Sequence, residues 1–168
     1  MAQDDPFEGA SATVIGGIDR ASAGGVSETG AVYAAQLGFD IRSNNLVYGL
    51  EGELGDATTK ACFATSGVCI KASRDLYIGG RLGVAIADNT LLYAKGGYSN
   101  ARQTFSYQVT VPVQPGVPTS AKSDGWRVGA GIEQTISERF LVKAEYRYSD
   151  YEGGFKRHQG VVGLGIRF

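Results

Sequence analysis

The alternation of apolar and small or polar residues in the closing segment, residues 160–168, constrains the fold more than any other feature of the chain. Side chains of a β-strand point alternately to the two faces of the sheet. The apolar residues that share one face here are Val162, Leu164, Ile166 and Phe168. The other face carries glycines and Arg167, and this combination is typical of a transmembrane β-barrel strand. A soluble β-sandwich also alternates, so the interpretation depends on the rest of the chain.

The composition narrows the classes of protein that the chain can belong to. The net charge of −1 shows no basic excess, which disfavours nucleic-acid binding. No stretch approaches the roughly 18 consecutive apolar residues that a membrane-spanning helix needs, which excludes a helical membrane protein.

Seven further segments alternate in the same way. They run over about 11–20, 32–42, 46–55, 75–86, 92–99, 126–136 and 140–149. An even number of strands lets an antiparallel barrel close with both chain ends on one side. The sequence therefore predicts an all-β fold, an eight-stranded antiparallel transmembrane β-barrel. It forms a single domain over 1–168, with 1–9 as a periplasmic N-terminal segment.

The connections between these segments differ in length. Three are tight turns of residues that tolerate turn geometry, over 43–45, 88–89 and 137–139. The other four are predicted to be long, over about 21–29, 56–72, 102–123 and 150–157. Short periplasmic turns opposite long extracellular loops are the pattern of outer-membrane barrels.

Two features bear on the cellular compartment. Residues 1–6 have neither a basic region nor an apolar core, so we expect a mature chain behind an added Met, with a cytosolic protein as the alternative. Cys62 and Cys69 lie seven positions apart in a polar segment. This spacing predicts a loop disulfide in an oxidising compartment, because two cysteines alone make a poor zinc site.

Charged residues of both signs occupy the alternate strand positions that are predicted to face the lumen. We predict a lumen ion-pair network of Arg42, Glu51, Glu53, Arg81, Lys95, Arg127, Glu133, Lys143, Glu145, Arg147 and Arg167. Asp19, Asp40 and Asp75 share this parity. The interior of an eight-stranded barrel is only wide enough for its own side chains, so these charges must compensate one another's desolvation. This favours a plug, and the alternative is a narrow or gated ion path through the same residues.

Aromatic residues on the apolar face gather at two heights when the strands are threaded up and down. Near the outer rim the predicted belt comprises Tyr33, Tyr98, Trp126 and Tyr148. Near the inner rim it comprises Phe39, Tyr48, Phe140 and Phe168.

Catalytic signals are weak. His158 lies near Ser149, Asp150 and Glu152 in the sequence, and a hydrolytic triad from these residues is conceivable, but a solvated surface is the simpler interpretation. Glu51 and Glu53 share a face, as glycosidase carboxylates do, yet we interpret them as ion-pair partners. We therefore predict no catalytic residue, no cofactor and no metal.

Several blocks resemble the small outer-membrane β-barrel surface antigens of Gram-negative bacteria, the opacity or porin-family proteins of alphaproteobacterial type. These blocks are residues 47–53, 92–98, 125–133, 143–151 and 162–168. The resemblance implies an outer-membrane barrel exposed at the cell surface. It also implies contact with outer-membrane lipids and lipopolysaccharide, recognition of the C-terminal strand by the insertion machinery, and a protein partner through the extracellular loops. It transfers no shared active site.

Three functions remain open at this point. The first is a non-enzymatic envelope protein with a closed lumen that presents loops at the surface. The second is a small passive channel, and the third is a lipid-modifying barrel enzyme.

Overall fold

The computed structural model describes residues 6–23, 25–58, 60–63, 68–107, 119–137 and 139–168. Over these residues the regular structure consists of nine strands. They are β1 (Gly9–Ala23), β2 (Val26–Ser43), β3 (Leu46–Ala57), β4 (Lys60–Phe63), β5 (Val68–Ala87), β6 (Thr90–Tyr107), β7 (Thr119–Thr135), β8 (Phe140–Tyr151) and β9 (Phe155–Arg167). Within the described ranges, no helix has the length and apolarity that a helical membrane crossing requires.

The strands form one closed antiparallel meander. Consecutive strands pair with each other except β3 and β4, and β9 returns to pair with β1 from Ser11 opposite Arg167 to Ser22 opposite Lys156. The short β4 pairs with the beginning of β5, and β3 pairs with a later part of β5. Together β3 and β4 therefore occupy the place of one strand, and the barrel has eight strands. The predicted eight-stranded barrel is confirmed. Its closure removes the unpaired strand edges that a lipid phase would not tolerate.

Burial follows the predicted alternation and turns the sheet inside out relative to a soluble protein. Leu50 is 72% exposed and Leu37 is 68% exposed on the outside, whereas Val47 is fully buried inside. Large apolar side chains in an outward row are stable in contact with lipid, because lipid tails, unlike water, form no hydrogen bonds.

One end of the barrel, here called the turn end, carries the tight turns between β2 and β3, β5 and β6, and β7 and β8. Asn44 has a φ of 55° there, a conformation that asparagine tolerates better than most residues. The first described residues of β1 and the C-terminal Phe168 also lie at the turn end, where the Phe168 amide donates to the Ala10 carbonyl at 2.9 Å.

The opposite end, here called the loop end, differs from the prediction. The predicted loop over 21–29 is wrong, because β1 runs to Ala23 and β2 begins at Val26. The predicted loop over 150–157 shrinks to the turn between Tyr151 and Phe155. Strand also occupies much of the predicted loops over 56–72 and 102–123. The sequence of these extensions is polar at odd and even positions alike, so alternation could not reveal them.

Residues 1–5 of the predicted periplasmic segment 1–9 lie outside the described residues, and the remainder of that segment contacts the barrel. Gly9 already belongs to β1, and the Phe7 side chain is fully buried inside the turn end of the barrel. It packs in a cluster with Val47, Leu91 and Tyr93. The hydrophobic effect favours this position, because the Phe7 ring is removed from water when it enters the apolar opening of the lumen.

Candidate functional site

The lumen is filled by charged side chains of balanced number. Among the described residues, seven carboxylates and seven cationic groups are buried. The carboxylates are Asp19, Asp40, Glu51, Glu53, Asp75, Glu133 and Glu145, and the cations are Arg81, Lys95, Arg127, Lys143, Arg147, Arg157 and Arg167. Arg157 is absent from the predicted lumen network because it lies in the predicted loop over 150–157. Arg157 lies four positions before Val161, so the alternation of β9 places both side chains on the lumen face, and this spacing is the sequence signal for Arg157.

Arg157 organises the layer nearest the loop end. Its guanidinium donates to both carboxylate oxygens of Asp19, at 3.0 and 2.8 Å, and to Asp75 at 3.0 Å. Arg127 forms a second ion pair with Asp75 and donates to the Ser149 hydroxyl at 2.9 Å. Charge-assisted, two-pronged bonds of this kind fix the geometry of both partners.

The middle layer links three strands, β3, β6 and β8, across the lumen. Arg147 pairs with Glu53 at 2.7 Å and with Glu145. The ammonium of Lys95 lies 2.6 Å from Glu51 and 2.9 Å from Glu145. Each carboxylate therefore has at least one cation within ion-pair distance, which offsets the cost of its desolvation.

The layer nearest the turn end is a four-membered cluster. Arg81 pairs with Asp40 and lies 2.8 Å from Glu133. Arg167 lies 2.7 Å from Glu133 and 3.3 Å from Asp40. Between this cluster and the middle layer, the Lys143 ammonium donates to the Gln36 side-chain oxygen.

Arg42 has the lumen parity but lies at the mouth, half-buried. Its guanidinium donates to the Asn44 carbonyl at 2.6 Å and stands 5.6 Å from the centre of the Phe7 ring. The Pro6 carbonyl next to that ring accepts from Arg167 at 3.1 Å. The N-terminal residues thus cover the charged lumen at the turn end.

Two buried tyrosines stack under the cations. Lys95 lies 4.7 Å from the Tyr77 ring centre, and Arg81 lies 5.2 Å from the Tyr93 ring centre. Gly131 makes room for Tyr93, because a Cβ there would lie 2.8 Å from the phenol oxygen. The tyrosines fill the space between the charged layers, so side chains occupy the lumen along its length.

The predicted belt residues lie on the exterior at two ends. Near the loop end the rings of Trp126 and Tyr148 pack 5.6 Å apart, and Tyr98 is the register partner of Trp126. The members with exposed side chains on the exterior are Tyr33, Phe39, Tyr48, Tyr98, Trp126, Phe140 and Phe168. Tyr146, which the sequence analysis did not include, is 56% exposed on the same face.

The residues of the conceivable hydrolytic triad lie on opposite faces. His158 is exposed on the exterior, where its Nδ1 lies 2.7 Å from the Tyr146 hydroxyl. Ser149 points into the lumen, where its hydroxyl accepts from Arg127. The sheet separates the two side chains, so they cannot form a nucleophile and base pair. The described part of the chain also holds no cluster of metal-ligating side chains.

The two cysteines lie directly opposite each other on β4 and β5. Cross-strand neighbours lie within the backbone distance that a disulfide needs. A disulfide between Cys62 and Cys69 stays a prediction.

A closed eight-stranded barrel with a lipid-compatible exterior and a charged, filled lumen defines an outer-membrane β-barrel protein. The sequence profile of the outer membrane protein beta-barrel domain matches residues 1–168. The chain therefore belongs to this family, and its location is the cell outer membrane with the loop end facing outside.

Two relatives are named as outer-membrane proteins. The chain is similar to the 25 kDa outer-membrane immunogenic protein of Brucella ovis, with 24% identity over 80% of this chain and 62% of that protein. It is also similar to the 22 kDa outer membrane protein of Rhizobium leguminosarum, with 25% identity over 78% of this chain and 63% of that protein. The chain thus spans about three fifths of the length of these relatives.

Solved structures share the fold. Neisserial surface protein A superposes with a TM-score of 0.71 at 14% identity, over 96% of this chain and 98% of that one. The attachment invasion locus protein Ail of Yersinia pestis gives 0.65 at 21% identity, over 96% and 99%. Both support the barrel architecture and, at this identity, nothing finer.

Proposed function

We propose that this barrel is a non-enzymatic surface protein of the outer membrane, with a closed lumen, that stabilises the envelope and presents its loop end to the outside. The observation that carries the proposal is the cross-lumen ion-pair network. A conducting path would have to displace buried pairs such as Arg147 with Glu53 and Lys95 with Glu51. Separating a buried pair leaves a charge uncompensated, which costs about 3–5 kcal/mol.

Both mouths of the lumen support the closed state. At the turn end Phe7 fills the opening. At the loop end Arg157 joins Asp19 to Asp75, and the Tyr151 hydroxyl lies 2.9 Å from Ser99. The path is thus blocked at its ends as well as in its middle.

Planar-bilayer recording tests the proposal. The refolded barrel should give no single-channel current above a detergent blank, while a 16-stranded porin, which leaves an aqueous channel, serves as the positive control. A reproducible current that scales with the amount of inserted barrel would contradict the closed lumen.

A small passive channel is the second candidate, and one observation favours it. Both side-chain amide atoms of Gln159, and the Gln36 amide nitrogen, are buried without a hydrogen-bond partner among the described residues. Buried polar atoms of this kind are usually satisfied by water. A file of such waters would be the start of a conducting path, and the same bilayer recording distinguishes the two candidates.

A lipid-modifying enzyme is the third candidate. It would need a nucleophile near His158 on the exterior, and the lumen position of Ser149 argues against that serine. The mass spectrum of lipid A from cells that overexpress the barrel should match that of cells without it. A new acyl chain or a lost acyl chain would support the enzyme.

A further inference from the structure

A shallow, open apolar groove lies on the exterior of β1, β8 and β9 and extends toward the loop end. Its volume is about 580 Å³. Its exterior lining consists of Gly16, Ile18, Ala144, Tyr146, Gly160 and Val162. The groove exists because Gly16 and Gly160 carry no side chain, and a Cβ at either position would meet no atom within 4 Å.

Three basic side chains stand at the outer end of this groove. In the β1–β9 register Arg20 lies opposite His158, and Lys156 follows two positions further toward the loop end. All three side chains are exposed on the exterior face. Neither Arg20 nor Lys156 forms an ion pair with another described residue.

The His158 ring contacts two tyrosines of β8. Its Nδ1 lies 2.7 Å from the Tyr146 hydroxyl, and the centres of the His158 and Tyr148 rings are 5.0 Å apart. When the hydroxyl donates to Nδ1, the neutral ring carries its proton on Nε2 and offers that N–H to the exterior. Asp150, the register partner of Lys156 on β8, is the acidic neighbour of this site.

The depth of the three basic residues matches the membrane surface. His158 and Phe168 lie ten positions apart on β9. At about 3.4 Å per residue and a tilt of about 40°, this separation spans roughly 26 Å along the membrane normal. The apolar band of an outer-membrane barrel is about 25 Å tall, so His158 reaches the headgroup level when Phe168 lies at the inner surface.

We propose that this exterior site binds one lipid A molecule of the outer leaflet. One acyl chain lies in the groove, and an anionic phosphate of the headgroup lies between Arg20, Lys156 and His158. Charge complementarity next to an apolar groove, both toward the outward end of the barrel, selects this occupant. The proposal goes beyond the proposed function and does not depend on whether the lumen conducts.

Native mass spectrometry of the refolded barrel tests the site with three probes: diphosphoryl lipid A, its dephosphorylated form, and phosphatidylglycerol. Wild type should retain diphosphoryl lipid A most strongly. Arg20→Gln and Lys156→Gln should each weaken that retention about fivefold, since a cation at a membrane surface contributes about 1 kcal/mol. Neither change should affect the dephosphorylated form.

The groove has its own variant. Gly160→Leu fills the groove with an apolar side chain where a Cβ meets no atom, so the barrel should fold. It should lower the retention of both lipid A forms alike. Matched controls on the far side of the barrel are Arg74→Gln and Gly52→Leu, which should retain lipid A as wild type does. Heat-modifiable gel mobility verifies that every variant is folded.

Each outcome bears on one part of the proposal. Unchanged retention in Gly160→Leu overturns the acyl groove, and unchanged retention in both cation variants overturns the phosphate site. Equal retention of phosphatidylglycerol and diphosphoryl lipid A overturns lipid A as the occupant. Asp150→Asn should strengthen the retention of diphosphoryl lipid A, because it removes a like charge from the headgroup.

Discussion

Arg81 is the most informative position in the lumen, because it bonds two carboxylates that have few other cations nearby. It pairs with Asp40 and lies 2.8 Å from Glu133, and all three side chains are buried. Arg81→Met keeps much of the side-chain volume and leaves both carboxylates to share Arg167. Removing one partner of a buried ion pair costs about 3–5 kcal/mol, so we expect a loss of unfolding free energy of that size.

A second substitution separates lost charge compensation from lost packing. Glu133→Gln in the Arg81→Met background leaves Arg167 with Asp40, 3.3 Å apart, and restores the local charge balance. The double variant should therefore cost less than the sum of the single variants, by about 1–3 kcal/mol. Arg139→Met is the control, because this exposed arginine lies at the turn end and should change stability by less than about 0.5 kcal/mol.

The assay is reversible urea unfolding in detergent micelles. Trp126, the single tryptophan, reports on the transition by its fluorescence, because it lies half-exposed on the exterior face. If the costs of Arg81→Met and Glu133→Gln simply add, the ion pairs do not compensate one another. The reasoning behind the closed lumen would then fail at its energetic step.

Three further predictions concern other parts of the barrel. Leu82→Arg places a charge on the lipid face and should lower the free energy of unfolding by about 2–4 kcal/mol. Gln36→Glu should lower it less, because the side chain at this position already accepts a hydrogen bond from Lys143. Unfolding midpoints compare the two variants, and equal destabilisation would mean that Leu82 does not face lipid. Phe7→Ala removes the ring that fills the turn end of the lumen and should lower the free energy of unfolding by about 3–5 kcal/mol. Hydrogen exchange at neighbouring lumen amides should become faster. Unchanged exchange would show that the ring does not close the turn end. Deletion of Phe168 should impair assembly in cells much more than it destabilises barrel refolded in detergent; normal assembly of the shortened chain in the outer membrane would contradict a role of this residue in recognition by the insertion machinery.

The sequence predicted the wall of the barrel better than its ends. Inside the lipid band each residue must face either hydrocarbon or lumen, so side-chain parity alone assigned Leu50 outward and Val47 inward. Beyond the band both faces meet water, and Ser22 and Ser27 in the first hairpin are polar on the exterior as well. Alternation disappears there although the backbone ladder continues, and the loops were therefore predicted too long.

The sequence by itself determined that the chain is an outer-membrane barrel with compensating charges in its lumen, because period-two alternation is a local property of each strand. Only the tertiary structure decided which charges pair. Arg157 meets Asp19 across a separation of 138 residues, and Arg147 meets Glu53 across 94. Such pairs depend on the register and tilt of the closed sheet, which set the height of every side chain in the lumen. The same geometry brings Arg20 and His158 together on the outside, through the β1–β9 pairing that closes the barrel.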